Sequence, residues 1–268
     1  MIETCVFADE VSKDFDGAVR LSVEAGATAI ELRGGIWGKR VQDADDDDIA
    51  RMRDVLAKYG ARVGVIGSPV GKCSHEDEAE YERHVRFFEN VVKVAHAFDV
   101  TVIRGFAFWN PLREERRRPD LDEYLPLIAH RFGPIVKRAE EEGLIYALET
   151  EGSTMTGTLA ETRKIIDALG GGPAVASCWD VNNGYRCGEP PLPDGYAQVR
   201  GLVRHVHVKP NAGKNIDTVA DSATTYEEVL RTLIADGYTG CASIEHWGSP
   251  ELMLEGVRQL RLLLDRIR

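Results

Sequence analysis

The sequence has no close cysteine pair. Its five cysteines, Cys5, Cys73, Cys178, Cys187 and Cys241, are odd in number, widely spaced and free of any CxxC arrangement. That argues against a disulfide framework or a thiolate zinc site and for reduced thiols. The N-terminal stretch MIETCVFADEV lacks a basic segment followed by an apolar one, and no apolar run is long enough to cross a bilayer. A secretory leader, a membrane span and a membrane partner are therefore not expected, and the expected location is the cytoplasm. Positive charge is also scarce. With 33 Lys and Arg against 44 Asp and Glu, the net charge is -11; that balance opposes a nucleic-acid partner, although a local basic funnel can still admit a small anion. No interior linker, low-complexity tract or further repeat interrupts the chain.

What is present points to an α/β fold. The 268 residues are 43% hydrophobic and 29% charged, enough for one large core, and residues 1–268 are expected to form a single domain. Short apolar runs alternate with helical patterns, the signature of a parallel sheet covered by helices. Eight such units can be counted. The first strand is near Thr4 to Ala8, with a helix from about Asp14 to Ala25. ATAIELRGG follows, its helix led by the acidic run Asp43 to Asp48, which suits the positive end of a helix dipole better than a calcium loop. ARVGVIGSPVGK precedes a helix from about Glu76 to Phe98, and VTVIRGFAFW precedes one from about Leu121 to Glu142. Four more strand-like runs follow, with helices near Leu159 to Leu169, Gly195 to Leu202, Tyr226 to Asp236 and Pro250 to Ile267. The run Gly170 to Gly172 reads as a helix stop, not a phosphate cradle.

Each of the last four strands ends in a group that can ligate a metal. These are Glu149 in LIYALETEGS, Asp180 in VASCWDVNN, His207 in HVHVKP and Glu245 in CASIEHW, separated by 31, 27 and 38 residues. One strand–helix unit of an eightfold barrel takes about 30 residues. The spacing therefore predicts a single (β/α)8 TIM barrel with all four groups at one mouth, the C-terminal ends of the strands. Side-chain alternation places Ala147 with Glu149, Cys178 with Asp180 and Ser243 with Glu245, and turns Tyr146, Leu148, Trp179, Ala242 and Ile244 toward the helices. His205, His207 and Lys209 share the inward face. His207 lies nearer the mouth and is the expected ligand; His205 is expected to be a satisfied interior histidine or to support the ligands.

Three carboxylates and one imidazole suit one divalent cation with open positions for water or substrate, and the ligand types admit manganese, magnesium, cobalt or zinc. A lone strand-end carboxylate is more often a salt-bridge or capping group. Four in register, with Lys209 the only obvious neutralising neighbour, would be costly to bury without a cation. Around them, Lys209, Asn183, Glu151, Lys72, Arg104, Trp109 and Trp247 are the candidate substrate contacts. For Lys72 an exposed loop position competes with oxyanion binding, and for the tryptophans rim packing competes with stacking on a sugar. Arg104 is expected to point inward with Phe106 and Phe108. Glu31 and Arg33 share a face and read equally as substrate contacts or an interior salt bridge. His246 faces away from Glu245, as a rim or helix-side residue.

The ordered set Glu149, Asp180, His207, Glu245, together with FADEVS, AIELRGG, SPVGK, WDVNN, HVHVK and the DGY before the last strand, resembles the xylose isomerase-like barrel superfamily along the whole chain. The similarity is to its sugar phosphate isomerase/epimerase branch. The resemblance implies one divalent metal on those four residues, with Glu149 and Glu245 doubling as the acid/base pair. It implies a sugar isomerase or epimerase acting on a small polyhydroxylated carbonyl compound through an enediolate, with a sugar- or polyol-derived small molecule as partner. A homo-oligomer is compatible with this reading and not required by it.

Three departures narrow the resemblance. Ketose 3-epimerases carry a histidine three residues after the metal aspartate, where this chain has Asn183. They carry an arginine after the histidine strand, where it has Lys209 and Lys214, and relatives reading HVHVKD have aspartate in place of Pro210. Ketose epimerase is thus not favoured over other isomerases. The runner-up is a metal-dependent dehydratase or lyase of the inosose or dehydroshikimate type on the same site. An endonuclease IV-like phosphodiesterase ranks low, because only seven histidines and a net charge of -11 are available for a multi-zinc cluster and a phosphate groove. A non-catalytic sugar-binding barrel is opposed by the intact glutamate pair.

Overall fold

Eight parallel strands close into a barrel in sequence order, β8 returning to pair with β1. The computed structural model describes residues 1–267. Its strands are β1 (Glu3–Phe7), β2 (Ala29–Leu32), β3 (Val63–Gly67), β4 (Val102–Gly105), β5 (Ile145–Glu149), β6 (Val175–Asp180), β7 (Val203–Val208) and β8 (Cys241–Ile244). The helices are α1 (Ala8–Val11), α2 (Phe15–Glu24), α3 (Asp46–Tyr59), α4 (Glu78–Ala97), α5 (Leu125–Glu141), α6 (Leu159–Ala168), α7 (Val181–Arg186), α8 (Tyr196–Gln198), α9 (Tyr226–Ala235) and α10 (Pro250–Ile267). Among the described residues no helix is long and apolar enough to cross a membrane.

Local chemistry sets the helix starts. Asp45 caps α3 and forms a reciprocal capping box with Asp48, so the acidic run serves a helix N-terminus as expected. Thr158 with Glu161 and Thr225 with Glu228 start α6 and α9 in the same way. Gly170 and Gly171, both at positive φ, end α6. The expected helix from Gly195 to Leu202 is cut to the single turn α8. Prolines 190, 191 and 193 lie just before it and Gly201 adopts positive φ just after it. The helix that follows β6 is instead α7, which begins at once after Asp180.

The two faces of the barrel wall follow the alternation. Tyr146, Leu148, Trp179, Ala242 and Ile244 pack in the large core under the helices. Inside the barrel, Cys5, Ala29, Val65 and Cys241 form a small apolar layer, and the inward charged residues lie above it. Phe108 departs from the expected inward face. It adopts a φ of +61 beyond the end of β4 and packs its ring 4.8 Å from Phe132 on α5.

Candidate metal centre

Strand register brings four of the predicted residues together. Glu149 and Asp180 close β5 and β6, Asp180 pairs with His207, and His207 pairs with Ser243 two residues before Glu245. Glu245 extends the ladder past β8 by donating its N–H to Val208 O at 3.1 Å. His207 Nδ1 lies 3.4 Å from Glu149 Oε1, 3.4 Å from Glu245 Oε2 and 3.9 Å from Asp180 Oδ2. One donor atom from each of the four lies within 4.8 Å of the others. Asp180 Oδ1 caps α7, accepting from Asn183 N–H at 2.9 Å, which leaves Oδ2 facing inward. His207 Nδ1, Asp180 Oδ2 and Glu245 Oε2 are all buried without a hydrogen-bond partner. Convergent oxygen and nitrogen donors of this kind, aimed at one point and short of hydrogen-bond partners, are what a divalent cation satisfies. The donor set fits such an ion.

Beneath the centre is a second tier that the sequence reading had not joined to it. Glu31, fully enclosed on β2, has Oε2 at 2.7 Å from His205 Nε2 and Oε1 at 3.3 Å from His207 Nε2. An imidazole that donates one N–H to a carboxylate has its orientation fixed and offers its other nitrogen as a better ligand. His205 is thus an interior histidine held by Glu31 through Nε2, while its Nδ1 is buried without a hydrogen-bond partner. Cys178, His205 and His207 also cluster, but Glu31 already holds both imidazoles, and burial pushes the Cys178 thiol up to about 12. Glu10, Glu245 and His246 form a third cluster, and Arg33 lies within it. Its guanidinium reaches Glu10 at 2.8 Å, Asp9 at 3.0 Å and Glu245 at 3.5 Å. Glu31 and Arg33 therefore have separate partners and do not pair with each other.

Buried cations balance the carboxylates. Arg104 Nε lies 3.1 Å from Glu149 Oε2. Lys209, 8% exposed, places Nζ 2.6 Å from Asp180 Oδ2, 3.2 Å from Glu245 Oε2 and 3.1 Å from Asn183 Oδ1. Burial alone would raise every carboxyl here. For Glu149, Arg104 and then His207 outweigh it and hold the group well below the usual carboxylate range. For Glu245, Lys209 and then His207 outweigh burial and lower the group. At Asp180 burial prevails, with Glu245 adding to it against the pull of Lys209, and the carboxyl is pushed up to about 6. Burial would lower His207, yet it is raised well above its ordinary value by the anionic groups around it: Cys178 if ionised, then Glu31, Glu245 and Glu149. Because the Cys178 thiol stays protonated at neutral pH, the carboxylates carry that effect.

The remaining predicted residues divide. Asn183 spans from Lys209 to Thr150 O. Lys72 and Glu151 pair at 3.3 Å and, with Arg104, Glu149 and Glu245, line a recess of about 260 Å³. Trp109 and Trp247 do not line it. Trp109 stands behind Lys72, whose Nζ is 5.6 Å from its ring, after the turn at Phe108. Trp247 is 0% exposed and donates Nε1–H to Val208 O at 3.2 Å, so its expected contact with substrate is corrected. The positive φ of His246 turns the chain, and the Trp247 ring passes under α10. Trp37 packs on Phe15 and donates Nε1–H to Asp14 Oδ1, and it does not line the recess. Sequence reasoning missed the parts played by Asp9, Glu10, Arg40 and Gln42, of which Asp9, Arg40 and Gln42 line the recess. The acidic pair directly after β1 was the available signal.

The family model described as "Xylose isomerase-like TIM barrel" matches residues 19–263. The chain belongs to that family. No curated protein matches it in sequence. Among solved structures, it is similar to a xylose isomerase-like TIM barrel protein from Mycobacterium smegmatis in complex with magnesium, at 20% identity and TM-score 0.73, covering 94% of this chain and 89% of that one. It is similar to a probable 3-DHS dehydratase, AsbF, from Bacillus anthracis, at 18% identity and TM-score 0.72, covering 97% and 98%. It is also similar to a D-allulose 3-epimerase from Methylomonas sp. in complex with D-allulose, at 14% identity and TM-score 0.77, covering 99% and 97%. At these identities the likeness carries the family fold and leaves the reaction to the site.

Proposed function

We propose that this chain is a divalent-metal-dependent sugar isomerase or epimerase that moves a proton on a small polyhydroxylated carbonyl compound. One observation carries the reading. Glu149 and Glu245, on strands separated by β6 and β7, approach the same His207 nitrogen at the same 3.4 Å. A compound seated above that nitrogen has an ionised carboxylate on either side. The residues that would hold the ion are Glu149, Asp180, His207 and Glu245, and a bound divalent cation supplies Lewis-acid polarisation of the substrate carbonyl.

The chain's own residues divide the rest of the work. One glutamate removes the proton from the carbon beside the carbonyl, giving an enediolate. Return of the proton to the former carbonyl carbon by the same glutamate, with the hydroxyl proton passing between the two enediolate oxygens, gives isomerisation; delivery by the other glutamate to the opposite face of the original carbon gives epimerisation. Arg104 keeps Glu149 ionised, and the Lys209 ammonium, held by Asp180, Glu245 and Asn183, fixes a positive charge beside the substrate position. Burial of the site excludes water and strengthens each of these interactions.

Lys209 also favours the second reading, a dehydratase on the same site. A fixed positive charge beside Glu245 can stabilise a departing β-hydroxyl, which isomerisation does not require. Incubating manganese-loaded protein in deuterated water with a panel of ketoses, aldoses and inososes, read by NMR, tests the first reading and separates it from the second. Exchange of a substrate C–H with retention of all oxygens supports isomerase chemistry, and loss of a hydroxyl supports the dehydratase. Glu149→Gln and Glu245→Gln at saturating metal should each slow exchange by about 10²-fold or more. If both metal-loaded variants exchange like the parent, the glutamates are ligands only and the mechanism fails.

A further inference from the structure

A second space, lined by none of the four metal residues, lies beside the recess over Arg104 and Glu149. This cavity of about 1290 Å³ opens on the β6–β8 side, between α7 and the loop at residues 210–224, and meets the centre through Lys209, Asn183 and His246. Sites for drug-sized ligands typically measure ~300–1,000 Å³. One small sugar seated between Glu149 and Glu245 would leave most of this space unfilled. We infer that the cavity is a second sugar subsite, and that the substrate is a glycosylated carbonyl compound whose attached sugar lies against α7. The inference rests on the proton-transfer reading of the adjoining centre.

The walls have the chemistry of a carbohydrate site. Tyr185 is half-buried and lines the cavity, a face on which sugar C–H groups pack. Arg186, exposed on the same helix, is steadied by its Nε–H bond to Asn182 Oδ1 at 2.6 Å, and Asp221 faces the same space. A planar donor fork together with a carboxylate acceptor suits neighbouring hydroxyls, which both donate and accept. An anionic extension would meet Asp221, and the Lys214 ammonium is turned to Trp247 O at 3.3 Å. Of the other cations on the lining, Lys209 is engaged by Asp180 and Glu245, which leaves an anionic extension mainly Arg186.

The far wall is already built. Asn211 Oδ1 accepts from Gly213 N–H at 2.9 Å and Asn215 N–H at 3.2 Å, and Ser222 Oγ accepts from Thr224 N–H at 3.2 Å. A loop tied by its own side chains needs little ordering when a ligand arrives, so the cost of binding is reduced. His246 lines both spaces, and Lys209 lines the cavity. Its aliphatic stem and Nζ form the sill between the cavity and the carboxylates of Asp180 and Glu245.

The test compares D-fructose with three glucosyl-fructoses, maltulose, leucrose and isomaltulose, which carry the extra glucose on different hydroxyls. Affinity for manganese-loaded protein is measured by calorimetry, and C–H exchange is followed in parallel by NMR. At least one disaccharide should bind about tenfold tighter than fructose or better. Ala223→Trp, at an exposed lining position, should bring that disaccharide down to the level of fructose. Ala212→Trp plugs the same cavity from an independent position should the first variant fold poorly. Equal or weaker binding of all three disaccharides, or a gain that survives both plugs, overturns the inference. Exchange of fructose without any disaccharide gain removes the subsite alone. A disaccharide gain without exchange in any sugar keeps the subsite and removes the proton-transfer reading.

Discussion

Glu31 and His207 are both fully enclosed in the barrel, and Oε1 of the one lies 3.3 Å from Nε2 of the other. That contact aims the far nitrogen of the imidazole at Glu149, Asp180 and Glu245. Glu31→Gln is close to isosteric but weakens the hold on both His205 and His207. Supporting carboxylates of this kind are worth about 10–100-fold in metal affinity. Manganese titration of chelator-treated protein should show a loss of that size with the circular dichroism spectrum unchanged. Parent-like affinity would mean that His207 is oriented by packing, with its 5.2 Å edge contact to Phe7 as the first alternative.

Trp247 has its own dependence on a single position in α10. A Cβ placed on Gly256 would lie 2.7 Å from the Trp247 ring and 3.0 Å from Ile244 Cγ2. Alanine is the better helix former by about 1 kcal/mol, but overpacking a closed core costs about 1–3 kcal/mol, so the clash should prevail. Gly256→Ala is expected to lower the melting temperature and to change the tryptophan fluorescence. Trp247 lies two residues past Glu245, so manganese affinity should fall as well. A more stable variant with unchanged fluorescence would show that the ring has room to move.

These contacts mark where the sequence was readable and where it was not. The strand ends carrying Glu149, Asp180, His207 and Glu245 were legible because a buried parallel strand shows as an apolar run and a period of two fixes its faces. That period stops at the first residue with positive φ. Phe108 and Trp247, one at such a residue and one just past it, were therefore misplaced. The segment VNNGYR has too few apolar residues to show a helical period, and α7 forms because Asp180 caps it. The Glu31–His207 contact joins strands far apart in the chain, and nothing local to either residue announces it. The acidic run before α3 was legible for the opposite reason, since capping is decided within four residues.

A pH effect is expected away from the metal centre. His84 is buried on α4 and its Nδ1 accepts from Gly71 N–H at 3.2 Å, while burial holds its pKa below the ordinary value. The folded protein thus keeps His84 neutral, and as pH falls below about 6.5 the unfolded chain takes up the proton first. Its contribution to stability is fully present above that value and is lost as pH drops toward the folded pKa, at no more than about 1.4 kcal/mol per pH unit for one proton. Urea unfolding of metal-free protein between pH 7.5 and 5.5 should show this decline. His84→Gln, which retains an acceptor, should flatten it relative to the parent, and parallel curves would exclude His84 as its source.

Lys209 makes the most direct claim about how the metal-free chain tolerates its own carboxylates. Its Nζ lies 2.6 Å from Asp180 Oδ2 and 3.2 Å from Glu245 Oε2, the same inward oxygens that converge on the candidate metal position. An ammonium and a divalent cation therefore draw on the same two atoms. Removing one member of a buried charge cluster leaves the other uncompensated, at a typical cost of about 3–5 kcal/mol. Lys209→Met keeps the apolar stem and deletes the charge, so the chelator-treated variant should unfold at markedly lower denaturant than the parent. Its manganese affinity should move the other way, tightening by about tenfold or more, because a positive charge near the bound ion is gone. Denaturation with and without chelator, together with a metal titration, reads both effects on one preparation. A variant whose metal-free stability is unchanged, or whose manganese affinity falls, would show that Lys209 does not balance these carboxylates in the absence of an ion.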